Sequence, residues 1–450
     1  MHRDRTLVAA LAGLAVSFGS AAMAQDIHWP GFRGPDGGGT ATSSHPSSWS
    51  AASEGGQNLA WSVDLPGIAL ASPIVIGDTV YVVTVISPEL ETATPWVNGT
   101  PPLSAVEEPA DFRFVALDLE SGEQLWETSV ANEVPAIPTH TSNSFATESP
   151  VTDGKHLFAH FGCLGVVVAV DLEGNEVWRR DVGAYSYQQD FGPASSVVLA
   201  DGVLVVHSDN QDSSFVMGIE PATGRELWKN ERQTGTAWAS PTVAANPAGG
   251  SQVIVPGSRN ITSYDPKTGE TIWQVTDIRG NFSASGIVAD GKFIAGPLGR
   301  GQRGGMIAVE LDAEGEFPVG ADADESGIAY VVPAQGFAYS SPVVVGDRLY
   351  VARASIFAAH DTTTGELLYR ERLPEPDMIV ASLWTDGETV YAMNVNGTVF
   401  GVKAGDEFEL VSTNTVSATE GEQFSGTPAV AQGALLIKGS DRLYCIRSRG

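Results

Sequence analysis

The sequence has few cysteines and few basic residues. Of its 450 residues only Cys163 and Cys445 are cysteines, too few for a disulfide framework and not spaced as zinc ligands. After the first 24 residues no apolar run is long enough to span a bilayer. The 25 Lys and Arg residues stand against 54 Asp and Glu residues, which gives a formal net charge of -29. Such a surface repels nucleic acid and anionic lipid, so we expect neither as a partner.

The N-terminus has the pattern of a cleaved signal peptide. Arg3 and Arg5 precede an apolar run from Leu7 to Phe18, and Ala22-Met23-Ala24 is a small-residue cleavage sequence. We expect the mature chain to begin at Gln25, in the periplasm or outside the cell. No cysteine stands at that position, so no lipid anchor is expected.

Eight short apolar segments that begin with Ser or Thr recur along the rest of the chain, most of them about 45 residues apart. Their first residues are Ser72, Ser149, Ser195, Ser240, Ser285, Ser341, Ser382 and Thr427. Most lead into an Asp-Gly or Gly-Asp turn signal, and all but the last are followed by three further β-type runs. Four antiparallel strands in a unit of about 45 residues are typical of a propeller blade.

The eighth unit lacks a fourth strand, and an unpaired fourth strand, "NLAWSVDL" (58–65), precedes the first unit. The sequence therefore predicts an all-β, eight-bladed β-propeller with four antiparallel strands per blade, whose ring is closed by strand 58–65 in the last blade. We assign residues 1–24 to the signal peptide, 25–57 to an N-terminal arm and 58–450 to the propeller, and expect a monomer. Cys163 and Cys445 fall in blades two and eight, too far apart to pair, so both are expected to be free thiols.

The fourth run of most units carries an aromatic residue in one register. These residues are Trp61, Trp126, Trp178, Trp228 and Trp273, with Tyr330 and Tyr369 in blades five and six. Residues repeated in the outermost strand of each blade cannot all line one central site, so we interpret them as contacts between blades. The small Ser and Thr starts are interpreted as packing residues where eight inner strands crowd together.

The segment "ALDLESGEQLW" (116–126) and its copies resemble the quinoprotein-like, or PQQ-like, repeat, A-x-D-x-x-[ST]-G-x-x-x-W. "HWPGFRGP" (28–35) is similar to the N-terminal motif of exported PQQ-binding-like β-propeller repeat proteins. The resemblance covers about residues 28–446 and implies the eight-bladed fold of PQQ alcohol dehydrogenases and of the outer-membrane assembly lipoprotein. The adjacent cysteine pair of those dehydrogenases is missing here, as is the lipidated cysteine of the lipoprotein.

If the first strand of each blade is innermost, the long loops 86–111, 131–146, 184–193, 208–214 and 297–305 lie on one face, around the axial opening. The insertion 312–327 then belongs on the opposite face. A rigid scaffold that presents long loops is a common place for a binding site. The candidate ligand-binding residues on these loops are His140, Asn143, Gln188, Gln189, Asp190, Trp238, Arg279, Asn281 and Tyr339. Trp238 lies outside the repeat register and is the candidate for stacking on a ligand.

Other motifs predict little chemistry. "GRGQRG" (299–304) matches a dinucleotide fingerprint but is followed by a strand, so only an anion contact by Arg300 and Arg303 is kept as a candidate. "DADESG" (322–327) and "DNQDS" (209–213) resemble fragments of calcium loops, and "HLFAH" (156–160) lies on a predicted strand and lacks a third ligand. No G-x-S-x-G elbow occurs. We predict no catalytic residues, no metal site and no cofactor.

The sequence favours an exported, non-catalytic binding or scaffold protein of the cell envelope, which acts through the long-loop face and axial opening. Its partners would be other envelope proteins or a small ligand. One alternative is a PQQ-dependent alcohol dehydrogenase with calcium, in which Asp190 would be the base and Trp238 the platform. A second alternative is a propeller that binds a small ligand or glycan.

Overall fold

The structure, a computed structural model, describes residues 26–50, 56–90, 103–104, 106–298, 305–320, 326–333, 335–416 and 422–448. Their strands form eight sheets of four or five strands. These are the blades of an eight-bladed β-propeller, which confirms the predicted fold. Over the described ranges no helix is long and apolar enough to cross a membrane. The predicted signal peptide lies outside the described residues.

The first four blades contain strands in simple up-and-down order. They are blade one, β3 (Ile74–Ile76), β4 (Thr79–Ile86), β6 (Ala110–Asp118) and β7 (Gln124–Glu133); blade two, β9 (Val151–Thr152), β10 (His156–Phe161), β11 (Val166–Asp171) and β12 (Glu176–Asp181); blade three, β13 (Val198–Ala200), β14 (Val203–Ser208), β15 (Phe215–Ile219) and β16 (Glu226–Glu231); and blade four, β17 (Thr242–Ala245), β18 (Ser251–Pro256), β19 (Ile261–Tyr264) and β20 (Thr271–Thr276).

The last four blades repeat this order. They are blade five, β21 (Ile287–Ala289), β22 (Lys292–Ala295), β23 (Met306–Glu310) and β25 (Ile328–Val332); blade six, β26 (Val343–Val345), β27 (Arg348–Arg353), β28 (Ile356–Asp361) and β29 (Leu367–Arg372); blade seven, β30 (Trp384–Thr385), β31 (Thr389–Met393), β32 (Thr398–Lys403) and β33 (Leu410–Thr415); and blade eight, β34 (Ala429–Ala431), β35 (Ala434–Lys438), β36 (Arg442–Ile446) and β2 (Leu59–Asp64).

Strand β2 closes the ring. It pairs antiparallel with β36, with Trp61 opposite Cys445, and so becomes the fourth strand of blade eight. Cys163 and Cys445 are buried free cysteines, as predicted. Without β2 the strand β36 would present an unpaired edge, which is open to aggregation.

Four remaining strands extend the predicted pattern. β1 (Ile27–Trp29) of the N-terminal arm pairs with β3 at the inner edge of blade one. β24 (Gly315–Pro318), which belongs to the insertion 312–327, pairs parallel with the outer strand β20 of blade four. β5 (Leu103–Ser104) pairs with β8 (Thr139–His140) outside the blades. Two blades therefore have five strands rather than four.

The Ser and Thr residues before the inner strands form a chain of hydrogen bonds around the axis. The Ser72 N–H donates to Ser149 Oγ at 2.9 Å and the Ser149 N–H to Ser196 Oγ at 2.9 Å. The same bond joins the later pairs Ser196 to Ser240, Ser285 to Ser341, Ser341 to Ser382 and Ser382 to Thr427. These hydroxyls therefore tie together six of the eight pairs of neighbouring blades, beyond the packing role expected of them.

One position in this series was predicted wrongly. In "ASSVV" (194–198) the second serine, Ser196, lies in the ring, whereas Ser195 was aligned there. Ser195 instead places its Oγ 3.0 Å from His207 Nδ1, away from the axis. Two adjacent serines point to opposite sides of an extended chain, and the repeat spacing alone did not distinguish them.

The outer-strand aromatic residues contact the neighbouring blade. Trp126 Nε1 donates to Leu172 O at 3.0 Å, and its ring lies against Gly174, where an added Cβ would be 2.8 Å from it. Trp61, Trp178 and Trp228 make the matching bonds to the carbonyls of Leu119, Pro221 and Pro266. Trp273 differs: its Nε1 donates to Gln252 Oε1 within its own blade, and β24 of the insertion 312–327 pairs along the strand that carries it.

Candidate binding site

A cavity of about 390 Å³ occupies the centre of the propeller. Its wall contains all eight Ser and Thr residues that precede the inner strands, together with side chains from the loops 131–146 and 184–193. The cavity therefore opens on the long-loop face. Its volume lies within the range of about 300–1,000 Å³ that is usual for small-ligand sites.

The N-terminal arm forms the floor of this cavity. Phe32 lines it from below, and the arm crosses the axis from Pro30, whose carbonyl accepts the Thr152 N–H, to Gly39, whose carbonyl accepts the Thr385 N–H. Between them Arg33 is 1% exposed and donates to the carbonyls of Gly38, Gly286 and Pro342. Burial lowers the pKa of Arg33 to about 10, which leaves it charged at neutral pH. The "WPGFRGP" motif thus converts an open channel into a blind pocket.

Six of the predicted site residues line the cavity: Asn143, Gln188, Gln189, Trp238, Asn281 and Tyr339. His140, Asp190 and Arg279 do not. His140 is buried against the ring of Phe191, with its Nδ1 2.6 Å from Ser142 Oγ, and Arg279 is exposed. Arg300 and Arg303 lie outside the described residues.

Trp238 is held in place by contacts at its edges. Its Nε1 donates to Gly192 O at 2.9 Å, and Phe191 meets the indole edge-on at 5.8 Å between ring centroids. Beside it Asn281 Nδ2 donates to Gln188 Oε1 at 2.7 Å, which connects the loops before blades three and five. These bonds pre-position an aromatic face and two amides at the mouth of the cavity.

Asn143 has a structural role in addition to lining the cavity. Its Nδ2 donates to the carbonyls of Phe191 and Pro193 at 3.1 and 2.9 Å. Its Oδ1 accepts the Phe145 N–H and the Thr147 hydroxyl at 2.9 Å each. The side chain therefore joins the loops before blades two and three and has little capacity left for a ligand.

Phe32 and Gln423 were missed by the sequence analysis. Phe32 belongs to a motif that was interpreted only as a family marker, and Gln423 lies before blade eight with no repeat signature. Gln423 is 5% exposed, and its Nε2 has no hydrogen-bond partner within the described part of the chain. A polar residue just before an inner strand was the signal available for Gln423, as it was for Asn281.

The described wall of the cavity carries no charged side chain. Ionisable groups are buried behind it instead. Glu148 Oε1 lies 4.0 Å from His160 Nδ1, and both residues are at most 3% exposed. Burial raises the pKa of Glu148 to about 7 and lowers the pKa of His160 to about 4. The described part of the cavity wall is therefore uncharged, in a strongly acidic protein.

In the loop "DNQDS" the carboxylate of Asp209 is engaged within the protein. Asp209 is fully buried, with its Oδ1 2.8 Å from Arg232 Nε and 3.1 Å from His207 Nε2. Its carboxylate is thus used by a buried ion pair between blades three and four. Within the described ranges no group of three or more His, Cys, Asp or Glu side chains could hold a metal ion. Most of "DADESG" lies outside those ranges.

Lys438 is a buried cation in blade eight, next to the cavity wall. It is 1% exposed, and its Nζ donates to the carbonyls of Ala69 and Gly439. Burial lowers the pKa of Lys438 to about 7, below its unfolded value of 10.5. Between these two values the unfolded chain binds more protons than the folded one, so this residue makes the protein more stable as the pH rises from about 7 to 10.5.

We therefore expect Lys438→Met to stabilise the protein at pH 7.5 by about 1–4 kcal/mol, because folding of the wild type must deprotonate the amine or bury its charge, whereas methionine is apolar. The gain should be much smaller at pH 10, where the folded amine is neutral and the unfolded amine is close to its pKa of 10.5. Urea unfolding at the two pH values measures the difference. The exposed Lys403→Met is the control, and equal effects of both substitutions at both pH values would contradict the assignment.

The comparison with known families agrees with this architecture. A family model described as "Outer membrane protein assembly factor BamB" matches residues 31–192, 111–290 and 261–450. The chain belongs to this PQQ-like propeller family. The three matches together extend over the propeller and most of the N-terminal arm. A comparison of this chain with curated proteins found no match.

Solved structures of the same fold include proteins of several kinds. BamB from Moraxella catarrhalis is 12% identical, with 81% of this chain and 99% of that chain covered and a TM-score of 0.54. Quinohemoprotein alcohol dehydrogenase from Comamonas testosteroni is 13% identical, with 87% and 77% covered and a TM-score of 0.56. Sqt1 from Chaetomium thermophilum, bound to the N-terminus of the ribosomal protein L10, is 13% identical, with 90% and 100% covered and a TM-score of 0.54. At such identities the likeness concerns the fold alone.

Proposed function

We propose that this PQQ-like propeller is an exported, non-catalytic binding protein of the cell envelope, which holds its ligand or partner at the axial cavity. The observation that carries the proposal is the blind cavity itself, whose rim amides and Trp238 are already held in position before a ligand arrives. The signal-peptide pattern and the outer-membrane family description support the location. Sqt1 bound to the L10 N-terminus illustrates a propeller that binds a protein segment.

The residues of the cavity do not fit PQQ with calcium. PQQ carries several carboxylates, and the described wall offers no Lys, Arg or His to bind them. Calcium needs oxygen ligands that usually include carboxylates, and no Asp or Glu is among the described residues of the wall. Asp190, the candidate base of a dehydrogenase, is also not part of the wall. These observations favour binding without quinone chemistry.

Two measurements test the proposal. The purified protein is incubated with PQQ and Ca²⁺ and assayed for dye-linked alcohol oxidation, and we expect no saturable activity. Envelope fractions, separated into neutral, acidic, basic and peptide components, are screened for an increase in melting temperature. We expect at least one fraction to raise the melting temperature of the wild type but not that of Trp238→Ala. The control Leu125→Ala, on the exposed outer strand, should respond like the wild type. PQQ-dependent alcohol oxidation, or equal stabilisation of the wild type and Trp238→Ala, would overturn the proposal.

A further inference from the structure

The chemistry of the cavity wall restricts what can bind there. The described wall combines hydroxyls, amides, aromatic rings and a few aliphatic groups, and it contains no ionisable acid or base other than the Tyr339 phenol, whose pKa burial raises. A charged ligand would lose its hydration without gaining an opposite charge. An anion would in addition be repelled by a chain of net charge -29. An uncharged ligand meets neither cost.

The hydroxyl ring presents hydrogen-bond donors to the axis. Ser149, Ser196 and Ser240 each accept a backbone N–H from the preceding blade through Oγ. On the other half of the ring Ser341, Ser382 and Thr427 do the same. A hydroxyl that accepts one bond retains its own proton, and no acceptor for these protons is recorded in the described part of the chain. The ring is therefore complementary to oxygen atoms of a ligand.

The amide of Gln423 also lacks a partner. The residue is 5% exposed and lines the cavity, and its Nε2 makes no hydrogen bond with the described residues. An unpaired buried donor destabilises a protein, and a ligand oxygen that accepts its proton removes that penalty. This observation is independent of the ring and points to the same class of atom in the ligand.

Aromatic surfaces complete the site. Trp238 is fixed at the mouth by its bond to Gly192 O, and Phe32 closes the floor. Aromatic rings pack against the C–H faces of a ligand, while hydroxyls and amides form hydrogen bonds with its oxygens. A purely apolar ligand would leave the polar groups unpaired, and a quaternary ammonium ion would leave the hydroxyl donors unused.

We infer that the axial cavity binds an uncharged saccharide, with Trp238 stacking on a sugar face and Gln423 and the hydroxyl ring donating to sugar oxygens. The inference rests on the proposed function, since it names the ligand class of the same cavity. It adds that the ligand is neutral, rich in oxygen acceptors and small enough to enter a pocket of about 390 Å³.

A glycan array that carries neutral, acidic and amino sugars tests the class of ligand. We expect binding to neutral glycans only, confirmed by isothermal titration calorimetry with the matching free sugar. Glucose, glucuronate and glucosamine then present a neutral, an anionic and a cationic form of one pyranose scaffold, and choline represents a quaternary ammonium ligand. Preference for a charged member, or no glycan binding at all, overturns the inference.

Three variants locate the site. Trp238→Ala should weaken saccharide binding by about tenfold or more, as loss of a central aromatic contact does. Gln423→Leu should also weaken it by about tenfold, the effect of one lost hydrogen bond, yet leave the melting temperature equal or higher, because it removes an unpaired buried amide. Leu125→Ala is the control and should bind like the wild type. Unchanged saccharide binding in Trp238→Ala and Gln423→Leu would overturn the assignment to the cavity.

The outcomes also separate this inference from the proposed function. If glycans fail to bind but a peptide or charged ligand stabilises the protein in a Trp238-dependent way, the ligand class is wrong and the binding role stands. If no ligand of any class gives a Trp238-dependent response, the proposed function fails together with the inference.

Discussion

Asp209→Ala is expected to lower the free energy of unfolding by about 3–5 kcal/mol, the range for removing one partner of a buried ion pair. Asp209 and Arg232 are fully or nearly fully buried, and Arg232 Nε lies 2.8 Å from the carboxylate. Without Asp209 the guanidinium keeps its bond to the Tyr264 hydroxyl at 2.7 Å but has no counter-charge. Urea unfolding at pH 7 measures the loss.

A surface ion pair provides the matched control. Arg180 Nη2 and Glu226 Oε2 are only 2.6 Å apart, but their side chains are 27% and 40% exposed. Glu226→Ala should therefore cost no more than about 1 kcal/mol, since water screens the pair and solvates the remaining charge. A loss as small in Asp209→Ala as in Glu226→Ala would show that the buried pair does not stabilise the fold.

The Asp209 pair also predicts a pH dependence. Burial raises the pKa of the Asp209 carboxyl, but the Arg232 and His207 side chains outweigh burial and leave the pKa below its ordinary value of 3.8. A carboxyl whose folded pKa is lowered stabilises the protein above its unfolded pKa, and this contribution is lost as the pH falls through the folded pKa. The free energy of unfolding of Asp209→Asn should therefore be lower than that of the wild type mainly above pH 4, and the difference should shrink in stronger acid.

Trp126→Ala is expected to cost about 3 kcal/mol, the lower end of the range for deleting a core tryptophan, because the ring is half-buried. The substitution removes the bond to Leu172 O and the contact with Gly174, and so loosens the joint between blades one and two. Thermal unfolding measures the effect. Ligand binding at the axial cavity should survive in the folded fraction, because Trp126 lies in an outer strand.

The adjacent Leu125 separates a blade contact from general damage to the strand. Its side chain is 53% exposed, so Leu125→Ala should change stability by no more than about 0.5 kcal/mol. If Trp126→Ala kept its melting temperature but lost ligand binding, the interpretation of Trp126 as a contact between blades would be wrong.

The candidate site was predictable where position in the repeat determines position in space. Trp238 and Asn281 precede inner strands, and in a propeller the ends of the inner strands surround the axis, so both line the cavity. The same rule failed for Asp190, which lies in the 3-10 turn Gln188–Asp190 with a positive φ of 54° and is not part of the wall. The repeat spacing does not predict a local turn of this kind, so it did not predict the position of Asp190.

The sequence alone determined the eight blades, the closure by strand 58–65 and the outer position of Trp126, because these follow from a periodic pattern of apolar runs and turns. Only the tertiary structure decided that Ser196 rather than Ser195 belongs to the ring, and that the N-terminal arm places Phe32 under the cavity. Both depend on contacts between residues far apart in the chain, Ser196 with Ser240 and Arg33 with Pro342. A repeat describes each blade in isolation, whereas the cavity exists only where all eight blades and the arm meet.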